Sequence, residues 1–437
     1  MEFNFQWHKS RERKLGYVRR NPSETLLYRL VFNLHEDLET CWEEKYQTRY
    51  GAFRTVVREA FWKYLDCGIL VHGCARAWCK NCKHSEIIPL SCKCRGLCPS
   101  CDTKRMLLFA EHLHENVLEP VPQRHMVLSL PKRIRAYIRY DRERTSLLFT
   151  AAWQSIKELC AAVCPEGIPG AVLALHSTND MLEFNPHLHG LISDGVFLPD
   201  GSFQQLSLDP EALRKVFEHK LLSLLRDEDI ITQSVIDQLT SWQHSGFSAW
   251  LGPAINPEEQ DARLFISEYV GKAQIKLANL ELLEVEKKAI IRCRKDETTS
   301  KDYDPMDLLA AITPAVPNKW EQTVRYVGYY SARTRGKRRK LTLEQTGSTA
   351  EGKPEILPPP AKKKASKSWA RLIRKIYEAD PLVCPRCGEP LKVIAVIIDP
   401  GEARSITSHL GIPDYRAPPP FGQAGSSTSR HKLRNAA

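Results

Sequence analysis

The stretch Asn185-Pro-His-Leu-His-Gly-Leu-Ile-Ser-Asp194 places two histidines on either side of one apolar residue, directly before an apolar run. In a β-strand, successive side chains point to opposite faces, so His187 and His189 share one face and Leu188 lies on the other. Two neutral imidazoles on one face of a strand make half of a metal site. A His-x-His pair also occurs in purely structural settings, so the rest of the chain has to decide between these interpretations.

The segments around this stretch predict an α+β fold with a mostly antiparallel central sheet. Short apolar runs predict strands at residues 126–130, 171–176 and 187–192. Apolar stripes at helical spacing predict helices earlier in the chain, across residues 23–66 and near 103–118. Strands interleaved with helices are typical of α+β domains, but the order of the strands cannot be read from the pattern.

Clustered cysteines indicate structural zinc in the first quarter of the chain. Eight of the 14 cysteines fall within residues 67–101, and clustered thiols in a reducing compartment are typical of metal ligands. The pairs Cys79/Cys82 and Cys98/Cys101 follow the spacing C-x2-C-x15-C-x2-C of two zinc knuckles that share an ion. We therefore expect these four thiolates to bind one Zn²⁺.

Further potential ligands remain after this assignment. These residues could hold a second ion or could pack as buried side chains. They are Cys67, Cys74, Cys92, Cys94, His72 and His84. Cys384 and Cys387, far along the chain, supply only half of another site.

The composition is that of a globular, basic protein. Apolar residues make up 42% of the 437 residues, charged residues 26%, and the formal net charge is +11. A basic balance suits a polyanionic partner such as DNA. No apolar run approaches the length of a membrane span, and the first residues lack the apolar core of a signal peptide. We expect a cytoplasmic protein with no membrane partner.

Tyr269 is the best-placed nucleophile to act beside the histidine pair. Asn256 and Pro257 predict the start of a helix that carries it, and Gly271 predicts the end. Tyr269 shares a stripe of that helix with apolar residues such as Phe265, so a packed core tyrosine is the alternative.

Several segments, in this order, resemble the HUH rolling-circle transposases of bacterial insertion sequences, the family typified by insertion sequence 91. The resemblance covers about residue 25 to about residue 412. Its segments are residues 67–105, similar to the family's zinc-binding domain, 122–133, similar to the first nuclease strand, Asn185-Pro-His-Leu-His189, Tyr269-Val-Gly-Lys-Ala273, and residues 324–331 and 368–374, which recur in longer members.

The resemblance implies a DNA strand transferase and endonuclease that cleaves and rejoins single-stranded DNA through a covalent 5′-phosphotyrosine. Tyr269 would be the nucleophile. Some members carry two tyrosines four residues apart, and here Phe265 occupies the first position, as in the single-tyrosine branch. Tyr326 and Tyr330 have the same spacing and are the alternative nucleophiles.

The resemblance also implies a catalytic Mg²⁺ or Mn²⁺ at His187 and His189, in addition to structural Zn²⁺. Sites of this kind usually take a third protein ligand. Asp180 is the first choice, with Glu183 and His176 as rivals.

Basic residues predict the DNA contacts. Six of the eight residues 333–340 are Lys or Arg, which suits binding to phosphates, although a solvated flexible run is the alternative. The predicted contacts are Lys272, Arg333, Arg335, Lys337, Arg338 and Arg339.

The predicted domains follow from these motifs and from changes in composition. They are a helical and zinc-binding DNA-binding domain at 1–118, an HUH endonuclease domain at 119–340, a Pro- and Lys-rich linker at 341–367, a small C-terminal domain at 368–415 and a disordered tail at 416–437.

The predicted function is that of a transposase that moves its own insertion sequence, with single-stranded element ends as partner. A plasmid or phage replication initiator or relaxase would use the same chemistry. A zinc-dependent DNA-binding protein without catalysis is the alternative from another class. The sequence leaves the oligomeric state open, with a dimer as one candidate.

Overall fold

The computed structural model describes residues 21–271, 275, 277–283, 288–292, 299–345 and 383–419. The helices are α1 Leu26–Thr40, α2 Trp42–Lys45, α3 Gln47–Tyr50, α4 Thr55–Asp66, α5 Pro99–Asn116, α6 Lys132–Arg139, α7 Thr145–Val163, α8 Pro210–Asp227, α9 Gln233–Thr240, α10 Gln260–Val270, α11 Pro305–Ile312, α12 Ala332–Gln345 and α13 Pro400–His409. The strands are β1 Cys74–Cys79, β2 Ser85–Pro89, β3 Gln123–Ser129, β4 Ile168–Thr178, β5 Phe184–Phe197, β6 Phe203–Gln205, β7 Ser248–Ile255, β8 Leu280–Leu283, β9 Lys288–Arg292, β10 Ser300–Tyr303, β11 Val324–Gly328 and β12 Leu391–Ile397.

A six-stranded antiparallel sheet forms the centre of the molecule. Its strand order is β11-β4-β5-β3-β7, and β6 pairs with β5. The three strands predicted from the apolar runs are β3, β4 and β5. Strands β4 and β5 extend beyond their predicted bounds at both ends, whereas β3 begins earlier than predicted and ends at Ser129. The α+β prediction with a mostly antiparallel sheet is confirmed.

Helices cover both faces of the sheet at its centre. Helices α6, α7 and α8 pack on one face, where Leu173 and Leu188 belong to the core. Helices α5 and α10 pack on the other face, against Val172 and Leu191. Strands with both faces covered have nearly continuous buried runs, which explains the apolar sequences of β4 and β5.

The N-terminal helices share their core with a segment from much later in the chain. Leu30 of α1 and Phe61 of α4 pack in one cluster with Leu308 of α11 and with residues of β9 and β10. The predicted boundary at residue 118 therefore does not separate two independent cores. Sequence periodicity could not show this, because the partner segment lies more than 200 residues further on.

The C-terminal segment joins the N-terminal zinc region instead of forming a separate domain. Strand β12 pairs antiparallel with β1, which also pairs with β2, and Cys74 lies opposite Ile397. The prediction of an independent unit at 368–415 is thus corrected for the part that the structure describes. Residues 341–345 of the predicted linker continue α12, whereas 346–382 and 420–437, with the rest of the linker and most of the predicted tail, lie outside the described residues.

No helix within the described ranges is both long enough and apolar enough to cross a membrane.

Candidate active site

Four histidines meet on one face of the central sheet, beside α10. His176 of β4 lies opposite His187 of β5, and Val127 of β3 lies opposite His189. His125 precedes Val127 by two residues and so shares its face. The four rings form a continuous group, with centroids of neighbouring rings 4.3–5.5 Å apart.

Hydrogen bonds orient the rings of His187 and His176. The Nδ1–H of His187 donates to the carbonyl of Asn185 at 2.6 Å, and the Nε2–H of His176 donates to the carbonyl of Val270 at 3.1 Å. A carbonyl only accepts, so the proton of each ring is assigned to the bonded nitrogen. The lone pair is then on the other nitrogen, the one that a metal ion would bind.

His189 is oriented by His125 instead of by a carbonyl. Its Nδ1 lies 3.0 Å from Nε2 of His125, and its Nε2 lies 3.1 Å from Nε2 of His187. If His189 donates from Nδ1, the lone pairs on Nε2 of His187 and on Nε2 of His189 point into the same space. A cation between two such nitrogens removes the repulsion between the lone pairs.

The spacing of these nitrogens fits a metal ion. One ring nitrogen from each of His176, His187 and His189 lies within 4.8 Å of the other two. Two nitrogens bound at about 2.1 Å on adjacent octahedral positions are about 3.0 Å apart, close to the observed His187–His189 separation. Three imidazoles are softer ligands than the oxygen atoms that Mg²⁺ prefers, so the group suits Mn²⁺ better.

Among the described residues, the histidine group does not include Asp180, the first choice for the third ligand. Glu183, the second, instead accepts hydrogen bonds from Lys301 at 2.6 Å and Asn179 at 3.0 Å. These two hydrogen bonds hold the pKa of the Glu183 carboxyl below its usual value, and the bond from Lys301 has the larger effect. His176 is therefore the third residue that the structure brings to the pair.

Tyr269 lies directly over the histidines. Its ring centroid is 5.3 Å from that of His189 and 5.4 Å from that of His125, in edge-to-face geometry. The buried residues of α10 are Arg263, Ser267 and Val270, while Tyr269 is only half-buried. The structure thus places Tyr269 at the edge of the site and not inside the apolar core.

Packing against the zinc region fixes the C-terminal end of α10. Helix α5 packs along α10, and a Cβ added at Gly271 would lie 2.6 Å from the ring of Phe109. The helix begins at Gln260, later than predicted, after a turn in which Glu259 accepts from the N–H of Asn256. The close approach at Gly271 requires a residue without a side chain.

His125 is the site residue that sequence reasoning did not identify. It was only part of a segment with family resemblance, since a single histidine in a buried strand usually has a structural role. Its place beside His189 follows from the register between β3 and β5, and Trp250 of β7 packs against its other side at 5.3 Å. No local pattern encodes that register.

Of the two alternative nucleophiles, Tyr330 is built into the protein interior, whereas Tyr326 is half-buried. Tyr330 is fully buried, accepts from the side-chain amide of Gln123 at 2.7 Å and lies over Gly170. Burial raises the pKa of Tyr330, and of Tyr326 on β11 as well. Tyr330 therefore has a structural role.

The basic stretch forms α12, where its side chains divide into two groups. Arg335 donates to the carbonyls of Tyr330 and Asn116, and Arg338 pairs with Glu119 at 2.7 Å. These two arginines hold α12 against the body of the protein. The exposed members of the predicted set are Arg333, Lys337 and Arg339, whereas Lys272 lies outside the described residues.

The four cysteines predicted to share one ion lie in two different clusters. Cys98 and Cys101, at the start of α5, join Cys67 and Cys92, with sulfur–sulfur distances of 3.5–3.8 Å. The single-site prediction is corrected because Cys79 lies at the tip of the β1–β2 hairpin. Cys67 and Cys92 flank its base, where the N–H of Gly68 donates to the carbonyl of Leu90.

Cys79 and Cys82 join a partner pair from the C-terminal segment. All four sulfurs of Cys79, Cys82, Cys384 and Cys387 lie within 4.8 Å of one another. Within the described part of the chain, neither cluster takes in His72 or His84.

Two sequence families match the chain. The family described as "Transposase zinc-binding domain", of the insertion-sequence-91 type, matches residues 38–130, and the family described as "Putative transposase" matches residues 170–338. Both matched families are transposase families, and the zinc-binding one is of the insertion-sequence-91 type. The first match contains the cluster Cys67, Cys92, Cys98 and Cys101, so both observations support structural zinc there.

Curated relatives agree with this family. The chain is 24% identical over 383 residues to the "Transposase for insertion sequence element IS801" of Pseudomonas savastanoi pv. phaseolicola, covering 82% of this chain and 87% of that protein. It is 22% identical over 391 residues to the "Putative transposase y4qJ" of Sinorhizobium fredii (strain NBRC 101917 / NGR234), covering 82% and 93%. No solved structure matches significantly. These matches to transposases imply an enzyme that binds DNA and cleaves or joins its strands.

Proposed function

We propose that the protein nicks and rejoins single-stranded DNA through a covalent 5′-phosphotyrosine on Tyr269 during rolling-circle transposition. The main support is the position of the Tyr269 ring, 5.3 Å from that of His189, at the edge of a three-histidine group. A phenol hydroxyl and a cluster of metal ligands at one opening are the two groups that phosphodiester cleavage by a tyrosine requires.

In the proposed step, the hydroxyl oxygen of Tyr269 forms a bond to phosphorus, and the bond from phosphorus to the 3′ oxygen breaks. The phenol loses its proton, and the departing oxygen takes up a proton to become a 3′-hydroxyl. The phosphodiester energy is kept in the protein–DNA bond, so a 3′-hydroxyl can attack it in the reverse reaction without ATP.

His176, His187 and His189 would hold the divalent cation, and Mn²⁺ or Mg²⁺ is proposed. Bound there, it would stabilise the negative charge on the phosphate as a Lewis acid. His125 keeps the ring of His189 in the ligand orientation through the 3.0 Å hydrogen bond. Helix α5, packed along α10, keeps Tyr269 over the same group.

The exposed basic side chains of α12 provide a surface for the DNA backbone. Arg333, Lys337 and Arg339 are exposed, and their helix follows β11, which pairs with the histidine-bearing β4. Contacts to phosphates fix the position of a nucleic acid without reading its sequence. We propose that they hold the strand whose cleavage site reaches Tyr269.

A replication initiator or relaxase would need the same site, but both family matches and both curated relatives are transposases. A DNA-binding protein without catalysis would need neither Tyr269 nor the histidine group. We therefore retain it only as an outcome of the test.

The test uses labelled single-stranded oligonucleotides that cover the DNA flanking the gene on both sides. Each is incubated with purified protein and Mn²⁺, and covalent adducts are separated under denaturing conditions. We expect an adduct with the parent protein and with Tyr326→Phe, and none with Tyr269→Phe. No adduct with any oligonucleotide and any divalent ion would favour the binding-only function.

A further inference from the structure

We infer that Cys79, Cys82, Cys384 and Cys387 bind a second structural zinc ion that fastens the C-terminal segment to the β1–β2 hairpin. The residues that match the zinc-binding family end at 130, so Cys384 and Cys387 lie outside it. The inference does not depend on the proposed DNA chemistry.

The distances between the sulfurs are those of a tetrahedral thiolate site. Sγ of Cys79 lies 3.5 Å from that of Cys387, and Sγ of Cys82 lies 3.4 Å from that of Cys384. A zinc ion with sulfurs at about 2.3 Å places them about 3.8 Å apart, whereas a disulfide needs about 2.05 Å. All four are free thiols, and their sulfurs lie within 4.8 Å of one another.

Both C-x-x-C segments have the same local conformation. The N–H of Lys83 donates to the carbonyl of Cys79 at 3.0 Å, and the N–H of Gly388 donates to the carbonyl of Cys384 at 2.9 Å. Lys83 and Gly388 have φ values of 61° and 74°, in the left-handed region. Each segment is thus the same tight turn, and it aims both thiols to one side.

The hydrogen bonds that close the two turns also match. The N–H of Cys79 donates to the carbonyl of His84, and the N–H of Cys384 to the carbonyl of Glu389, both at 2.8 Å. Two copies of one turn, facing each other across four thiols, are the arrangement of a two-knuckle zinc site. A chance meeting of four cysteines would not produce the same conformation twice.

The two buried apolar clusters that pack the C-terminal segment against the hairpin region are small, with five residues each. The buried cluster that joins the two turns comprises Ala77, Cys79, Ile88, Cys384 and Leu391, two of which are ligands. Most of β12 is exposed, including Ile394 and Val396. Small units of this kind usually depend on a metal ion or a disulfide for stability.

The first test measures metal content in the full-length protein. We expect about two zinc ions per chain in the parent and about one in Cys384→Ser/Cys387→Ser. The matched control Cys164→Ser, a half-buried thiol outside both clusters, should keep two. One zinc in the parent, two in the double variant, or iron instead of zinc would overturn the inference.

The second test needs no variant and therefore does not depend on the folding of a mutant. Cys387 is exposed, so a bound ion is what would protect its thiol from alkylation under reducing conditions. We expect mass spectrometry to find Cys387 unmodified until a zinc chelator is added, while Cys164 reacts throughout. Rapid alkylation of Cys387 without chelator would overturn the inference, even if the double variant lost all of its zinc.

Discussion

The histidine group and the second cysteine cluster differ in how far apart their residues lie in the chain. His176, His187 and His189 come from two adjacent strands of one hairpin. Cys79 and Cys387 are separated by 308 positions and meet only because β12 pairs with β1. A site carried by one rigid sheet is fixed by strand alternation and register, whereas a site between distant segments also depends on the ion to hold them together.

This difference predicts that loss of a metal ligand has different consequences in the two regions. Ligands on the sheet should be removable without unfolding, because packing on both faces holds β4 and β5. Removal of a ligand from either cysteine cluster should disturb the fold around that cluster, because metal binding there contributes folding free energy.

The largest effect is expected from the change His187→Ala/His189→Ala. Without two of the three proposed ligands, adduct formation should fall by at least about a thousandfold, since the proposed charge stabilisation at the phosphate is lost. Zinc content and circular dichroism should equal those of the parent. His219→Ala, an exposed histidine on α8, is the control and should be fully active. Loss of zinc in the double variant would contradict the independence of the two regions.

A smaller effect is expected at His125, which we assign as a positioning residue for His189. His125→Ala should weaken Mn²⁺ binding by about ten- to a hundredfold, the range seen when groups that orient metal ligands are removed. Titration calorimetry with Mn²⁺ provides the measurement. His125→Gln, whose amide oxygen can accept from Nδ1 of His189, should recover part of the affinity. Unchanged affinity in His125→Ala would show that the ring only fills space.

The exposed basic residues of α12 should change DNA binding without changing the chemistry. Arg333→Ala/Lys337→Ala/Arg339→Ala should reduce the slope of log affinity against log salt by about 2, at about 0.7 per contact with single-stranded DNA. Fluorescence anisotropy over a salt series measures this slope, and the adduct yield at saturating DNA should stay the same.

The control variant removes the same number of positive charges from another part of the surface, at three exposed residues on α7 and α8. Lys157→Ala/Lys215→Ala/Arg226→Ala should leave the slope unaltered, because these side chains face away from the histidine face of the sheet. Equal slopes for both triple variants would mean that α12 attracts DNA only through overall charge.

The smallest effect is expected at Glu183, because its carboxylate pairs with Lys301 and does not belong to the histidine group. Glu183→Gln should change Mn²⁺ affinity by less than about twofold. Because the pKa of this carboxyl is lowered, its pairing stabilises the fold at neutral pH and is lost as pH falls through that lowered pKa.

Glu183 and Lys301 are both partly exposed, so the stability difference at pH 7 should be under about 1 kcal/mol. It should vanish in acid, and denaturant unfolding of Glu183→Gln and the parent at two pH values checks both points. A large loss of Mn²⁺ affinity would restore Glu183 as a ligand.

Local patterns in the sequence predicted the secondary-structure elements but not the contacts between elements that are distant in the chain. The alternation around Leu188 placed His187 and His189 on one face, and apolar runs located β3, β4 and β5. The histidines that complete the site, His125 and His176, come from neighbouring strands. Their contribution depends on cross-strand register, which has no signature in one segment of sequence.

The cysteine prediction was wrong for a related reason. The C-x2-C-x15-C-x2-C spacing does occur, but the 15 residues include β2, which returns from the hairpin tip to its base. Five residues of strand span about 16 Å, too far for Cys79 and Cys98 to share an ion. The actual partners, Cys67 and Cys387, lie at sequence separations that no motif specifies.

The central claim is that Tyr269 and the histidine group form one cleavage site. The most direct measurement is to form the adduct with the parent protein, digest its DNA and locate the modified tyrosine by mass spectrometry. We predict a single modified residue, Tyr269, that carries a 5′-linked nucleotide and depends on added Mn²⁺. A nucleotide on Tyr326 or Tyr330, or an adduct on Tyr269 that forms equally well in His187→Ala/His189→Ala, would contradict it.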